Sequence, residues 1–276
     1  MLGEIAAALA GLVIGVLMAR LMPSLFNPHI IFSEKAPLFV AITLNFLIAL
    51  MILYAPTILF YLTLIFAGLA GLVLAYTYSG GVPVFGGSGF SRDNIGYALL
   101  IPGALHLMVL LMLLSAPADV IHAHTALPLT GLQATPIWLV LIFLLEYFLV
   151  ALPEELYFRA FLVEGVSKCV PYTVSVGVAM ATWLGLHAIT RIPAGAAVAL
   201  IPITAGGIAL TWLYMVTRNT GVTALAHALY NTLIELVALM MEMDLTIAML
   251  SFAGGTLLEL AAGAALLLTD SYRAEI

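Results

Sequence analysis

Runs of about 20 apolar residues recur along the whole chain, at 2–22, 36–55, 57–78, 95–116, 137–158, 171–190, 196–217, 222–243 and 245–269. A helix of that length reaches about 30 Å, the thickness of a bilayer's hydrocarbon core. Inside lipid, backbone N–H and C=O groups have no water to bond, so each run must satisfy its own. Of 276 residues, 64% are hydrophobic and only 8% are charged, well outside the range of soluble domains. The expected fold class is therefore all-α, a polytopic transmembrane helix bundle. The runs 36–55 and 57–78 are divided only by Pro56, and the last two meet at 242–244, so the count is eight or nine.

Charge narrows the function classes. A net charge of -6 over so few ionisable groups gives no basic patch, which argues against nucleic acid as a partner. Cys169 is the only cysteine, so an intrachain disulfide and a cysteine-based metal site are both excluded, and it reads as a small apolar filler. The first 22 residues lack a basic leader and carry Glu4, which reads as a retained span and not a cleaved signal. With nine spans, Arg20, Lys35, Arg92, Arg159, Lys168, Arg218 and Arg273 fall on one side and Arg191 alone on the other. That bias places the amino terminus outside and the carboxyl terminus in the cytoplasm. The Gly-rich loop at 79–94 lacks the spacing of a phosphate cradle and reads as a cytoplasmic connection. His122 and His124 in the external loop have no further ligand nearby, so they do not read as a metal site.

Three polar constellations interrupt the apolar runs. The first is Glu154-Glu155-Leu156-Tyr157-Phe158-Arg159, at the end of a run whose only other charge is Glu146. An ionisable group at membrane depth costs about 2.5 to 3.5 kcal/mol on insertion scales, so it persists only with a partner or a task. Glu155 and Arg159 stand i, i+4 and can pair, while Glu154 points about 100° away and is the candidate for chemistry. The second is Trp183 and His187, again i, i+4; a lone histidine there would ordinarily be a packing residue. The third is His227 and Asn231, with Glu235 continuing the stripe. Measured from the turn near Lys168, Glu154 and His187 lie roughly 21 and 24 Å along antiparallel helices, which sets them opposite each other. His227 lies roughly 8 to 14 Å inside the turn at Arg218, so a shared site in the cytoplasmic half of the bilayer is feasible. This geometry expects the segment with Arg159, Glu164 and Lys168 to project beyond the cytoplasmic surface.

Together, E-E-x-x-x-R, an aromatic-x-x-x-H and H-x-x-x-N on successive spans resemble the CAAX prenyl protease type 2 family, also called the CPBP or abortive-infection family of intramembrane proteases. The resemblance covers about 137–235, with Trp183 standing where the family usually has Phe. It divides the chain into amino-terminal helices of unassigned role (1–136), a catalytic core (137–243), and a carboxyl-terminal helix and tail (244–276). It implies a cytoplasm-facing intramembrane active site that removes the last three residues of a prenylated C-a-a-X terminus. Glu154 would activate a water, His187 would hold it, and His227 and Asn231 would donate to the oxyanion. Glu155, Arg159 and Trp183 would be structural or substrate-orienting. The implied partners are the carboxyl-terminal peptide of a membrane-anchored, prenylated protein and the bilayer itself, and no cofactor is required.

Other readings compete. Glu154, His187 and His227 form a His₂Glu set of the kind that binds catalytic zinc, though no H-E-x-x-H motif is present. A transporter could use Glu146, Glu154, Glu235 and Glu259 as a cation path, but the motifs sit in one half only, without an inverted repeat. A non-catalytic scaffold would have no reason to keep the buried polar set. Asn45, His106 and Glu259 read as interhelical hydrogen-bonding groups.

Overall fold

Where the apolar runs are interrupted by turn-forming polar residues, the chain reverses. The computed structural model describes residues 89–113, 136–191, 199–241 and 244–273, with scattered positions between 37 and 73. The expected spans at 2–22, 36–55 and 57–78 lie wholly or largely outside these residues, as do most of the Gly-rich loop and the loop with His122 and His124. Among the described residues there are helices and no strands. In chain order they are α1 (Arg92–Leu113), α2 (Pro136–Leu145), α3 (Leu152–Glu155), α4 (Tyr172–Arg191), α5 (Leu200–Thr217), α6 (Thr220–Met241) and α7 (Leu245–Arg273). Five of these helices, α1, α4, α5, α6 and α7, are long and apolar enough to cross a membrane.

The expected span 137–158 is more elaborate than a plain helix. Two π-helical segments, Glu146–Ala151 and Leu156–Gly165, bracket the short α3. The junction residues Leu145, Leu152 and Glu155 keep helical dihedrals, so the chain stays wound without a break. Pro153 gives the first π segment a physical cause. A proline inside a helix has no N–H to offer and crowds the carbonyl four residues earlier, and a widened turn relieves both.

Caps define the reversals on the other helices. Arg218 ends α5 in the left-handed conformation (φ 50°), and its N–H reaches back to the Tyr214 carbonyl at 2.7 Å. Asn219 Oδ1 then accepts from the Val222 N–H at 3.1 Å, opening α6. Asp244 Oδ1 accepts from the Thr246 and Ile247 N–H groups at 2.8 and 3.1 Å. The run that could have been one span from 222 to 269 is thus two packed helices, α6 and α7.

Small residues set the closest approaches. A Cβ on Gly263 would stand 2.9 Å from the Gly96 carbonyl oxygen and 2.9 Å from the Leu100 nitrogen, so α7 lies backbone-close against α1. Ala151, Ala224 and Ala228 are fully buried together and let α6 settle onto the first π segment. The largest buried cluster joins Tyr157, Phe158, Phe161 and Leu162 of the second π segment to Trp183 of α4 and Tyr214 of α5. Tyr157 Oη also donates to Asn45 Oδ1 at 2.5 Å, and Asn45 Nδ2 donates to Thr182 Oγ1 at 3.2 Å. Asn45 is thereby the interhelical hydrogen-bonding residue its sequence context implies.

One expectation is corrected. Arg159 is 1% exposed inside this cluster and is not a surface charge beyond the membrane. The hairpin between the second π segment and α4 is present, but Arg159 leaves the tally of flanking charges. At its tip, Glu164 pairs with Arg218, whose guanidinium lies 5.2 Å over the Tyr172 ring.

Candidate active site

The sequence pairs Glu155 with Arg159 by helical spacing, and Arg159 Nη1 indeed donates to Glu155 Oε1 at 2.9 Å. Both side chains are buried. The same carboxylate oxygen receives His227 Nδ1 at 2.9 Å from α6. Arg159 Nη2 donates further to the Gly207 carbonyl at 3.2 Å, and its guanidinium lies 4.7 Å over the Trp183 ring. One buried carboxylate therefore fastens the first motif to the third, and the arginine fastens both to α4 and α5.

Trp183 is the hub between the two histidines. Its ring is 4.6 Å from His187 and 5.5 Å from His227, and its Nε1 donates to the Ile203 carbonyl at 3.1 Å. Gly207 makes room for it: a Cβ there would fall 2.8 Å from Trp183 Cδ1. A glycine on the facing helix thus accommodates the large Trp183 ring.

Both imidazoles are oriented through Nδ1. His187 Nδ1 lies 2.8 Å from the Trp183 carbonyl, which can only accept, so Nδ1 carries the proton. In the neutral ring the lone pair then sits on Nε2, which can accept from a water or act as a base. His227 Nδ1 likewise faces a carboxylate. A neutral His227 therefore accepts at Nε2, and it donates there only as an imidazolium, a condition that spacing alone does not reveal.

Glu154 is buried beside this assembly, within electrostatic reach of Arg159 and His227. Asn231 does not stand alone either: its Nδ2 donates to Glu146 Oε2 at 2.8 Å. Glu146 is completely buried and lies in the electrostatic field of Glu235, His227 and Glu154. Its sequence signal was its position as the lone charge of an apolar run, but nothing in the sequence names Asn231 as its partner. His187 and Asn231 are only partly buried, whereas Glu154, Glu155, Arg159 and His227 are closed off.

For the zinc alternative, no group of three His, Cys, Asp or Glu side chains among the described residues is gathered closely enough to hold a metal ion. His106 and Glu259, expected as interhelical partners, meet at 2.6 Å, and His106 Nε2 faces the Tyr230 carbonyl at 3.0 Å.

Residues 136–233 match the family model of the type II CAAX prenyl endopeptidase Rce1-like family. The matched segment contains Glu146, Glu154, Glu155, Arg159, Trp183, His187, His227 and Asn231. Comparison with curated proteins and with solved structures gave no match.

Proposed function

From the premise that residues 136–233 are an Rce1-like domain of an integral membrane protein, we propose that the chain is an intramembrane endopeptidase. It releases the carboxyl-terminal tripeptide of prenylated CAAX-type proteins on the cytoplasmic side. The observation that carries this reading is the closure of three separate motifs around Trp183, with Glu155 holding His227 and both imidazoles turned by their Nδ1 atoms.

In the proposed reaction Glu154 takes a proton from a water that His187 Nε2 holds by accepting its other hydrogen. The water oxygen attacks the scissile carbonyl carbon, and the carbonyl π electrons move onto oxygen. Asn231 and His227 donate to that oxyanion in a setting of low dielectric, where fixed donors are most effective. Collapse re-forms the carbonyl and breaks the C–N bond, and Glu154 returns its proton to the departing amine. His227 fills this role as the imidazolium, with the Glu155 carboxylate at its Nδ1 as the counter-charge. The proposed orientation, with the amino terminus outside and the carboxyl terminus in the cytoplasm, rests on the remaining Lys and Arg asymmetry.

The test is cleavage of a farnesylated C-a-a-X peptide by purified protein, with and without a strong chelator, beside Glu154→Gln. Tripeptide release that survives the chelator and disappears in the variant is the expected result. Full activity in Glu154→Gln would remove Glu154 as the base. Loss with the chelator, restored by zinc, would replace the metal-independent mechanism.

A further inference from the structure

We infer that Glu146 is a positioning residue for Asn231, fixing which end of its amide meets the substrate oxygen; this rests on the hydrolytic reading proposed above. An asparagine amide has two nearly isosteric orientations, one presenting N–H groups and the other an oxygen. Only the first can stabilise an oxyanion. Asn231 Nδ2 donates to Glu146 Oε2 at 2.8 Å, and a carboxyl oxygen that accepts this N–H selects the orientation in which nitrogen points inward. One N–H is then held by Glu146, and because Asn231 is only partly buried the second N–H on the same nitrogen can meet a substrate oxygen.

The fold brings these two groups together by a local device. On a regular α-helix Glu146 and Glu154 would be eight residues and about 80° apart in rotation at 100° per residue. The π segment at Glu146–Ala151 widens the turn, and one extra residue accommodated there reduces the offset to roughly 20°. Glu146 therefore shares the face that carries Glu154, and its electrostatic coupling to Glu154 and His227 agrees. Contact among Ala151, Ala224 and Ala228 lets α6 come close enough for Asn231 to reach it. Among the described residues Glu146 Oε1 has no hydrogen-bond partner, so Asn231 is the group this buried carboxylate holds.

An ordinary interhelical brace would also place a hydrogen bond here, and a double-substitution cycle separates the two roles. Glu146→Leu removes the acceptor, and Glu146→Gln keeps an acceptor oxygen of the same reach. With the farnesylated peptide, Asn231→Ala should lower kcat by roughly 10² to 10³. Glu146→Leu should lower kcat at least tenfold with KM little changed, and Glu146→Gln should stay within about fivefold of wild type. The double variant Glu146→Leu/Asn231→Ala should be no slower than Asn231→Ala alone. If Glu146→Leu slows Asn231→Ala by the same factor as it slows wild type, the positioning role is wrong. If Asn231→Ala is fully active, the oxyanion assignment falls and this inference with it. A second readout does not depend on cleavage. The chain holds five asparagines, so in protein labelled with 15N-asparagine the side-chain pair that vanishes in Asn231→Ala is assigned directly. That pair should move strongly in Glu146→Leu and little in Glu146→Gln, and an unmoved pair in the Leu variant would overturn the contact itself.

Discussion

His227 Nδ1 lies 2.9 Å from Glu155 Oε1, the same oxygen that pairs with Arg159. The second glutamate of the pair, not the first, thus holds the histidine of α6. Glu154 is buried beside the cluster, and the proposed mechanism uses it as the base.

Glu155→Ala should accordingly fail in two ways. It strands the Arg159 guanidinium, which is buried, and breaking a buried pair from one side costs about 3 to 5 kcal/mol. It also frees the His227 ring. Urea unfolding in mild detergent should show the stability loss. Glu155→Gln, which keeps an acceptor oxygen, should unfold nearer to wild type yet cleave substrate more slowly. Equal stability of wild type and the Ala variant would contradict the shared-oxygen arrangement.

A second expectation concerns Trp183 and Gly207. A methyl group at 207 would sit 2.8 Å from Trp183 Cδ1 and 2.9 Å from Nε1. The ring cannot easily retreat, since Nε1 is bonded to the Ile203 carbonyl and the Arg159 guanidinium covers its face. Gly207→Ala should therefore destabilise by about 1 to 3 kcal/mol, the usual cost of overpacking. Adding Trp183→Phe should recover much of that loss, so that the double variant is more stable than Gly207→Ala alone. Additive losses in thermal unfolding would show that the two side chains do not compete for the same space.

The Glu155–Arg159 pair and the contact of Trp183 with His187 could be read from the sequence, because each is fixed by i, i+4 spacing on one helix. The described helices were legible for a similar reason, since continuous apolar runs of that length have few alternatives in lipid. What could not be read depends on widened turns and on rotation between helices. The π segments shift faces by an amount that α-helical counting misses, and it is such a shift that turns Glu146 to the face of Glu154. The choice of Glu155 over Glu154 as partner of His227 is likewise an interhelical fact with no local signature. Arg159 was misplaced as a flanking charge because the rule that counts arginines near span ends does not see burial within the protein.

His187 offers a test of the oriented-ring argument. Its Nδ1 proton is committed to the Trp183 carbonyl at 2.8 Å, so its chemistry is carried by Nε2. His187→Gln should reduce kcat by about 10² to 10⁴ if Nε2 holds the attacking water. The side chain is partly exposed, so the melting temperature should change little. A large melting shift with unchanged kcat would make His187 a packing residue.

The His106 and Glu259 pair makes the opposite kind of claim, one of structure without a direct part in catalysis. His106 is completely buried, stacks on Tyr230 at 4.9 Å, and meets acceptors on both ring nitrogens, Glu259 Oε2 and the Tyr230 carbonyl. It joins α1, α6 and α7 beside the turn that carries Asn231. His106→Leu alone strands Glu259 and should cost about 3 to 5 kcal/mol, while His106→Leu with Glu259→Leu should be close to neutral, because both polar groups leave together. Unfolding of the two single variants and the double variant measures this directly. A double variant as unstable as the sum of the singles would mean that the pair's value lies in contacts to the backbone of Tyr230 and not in the pairing itself.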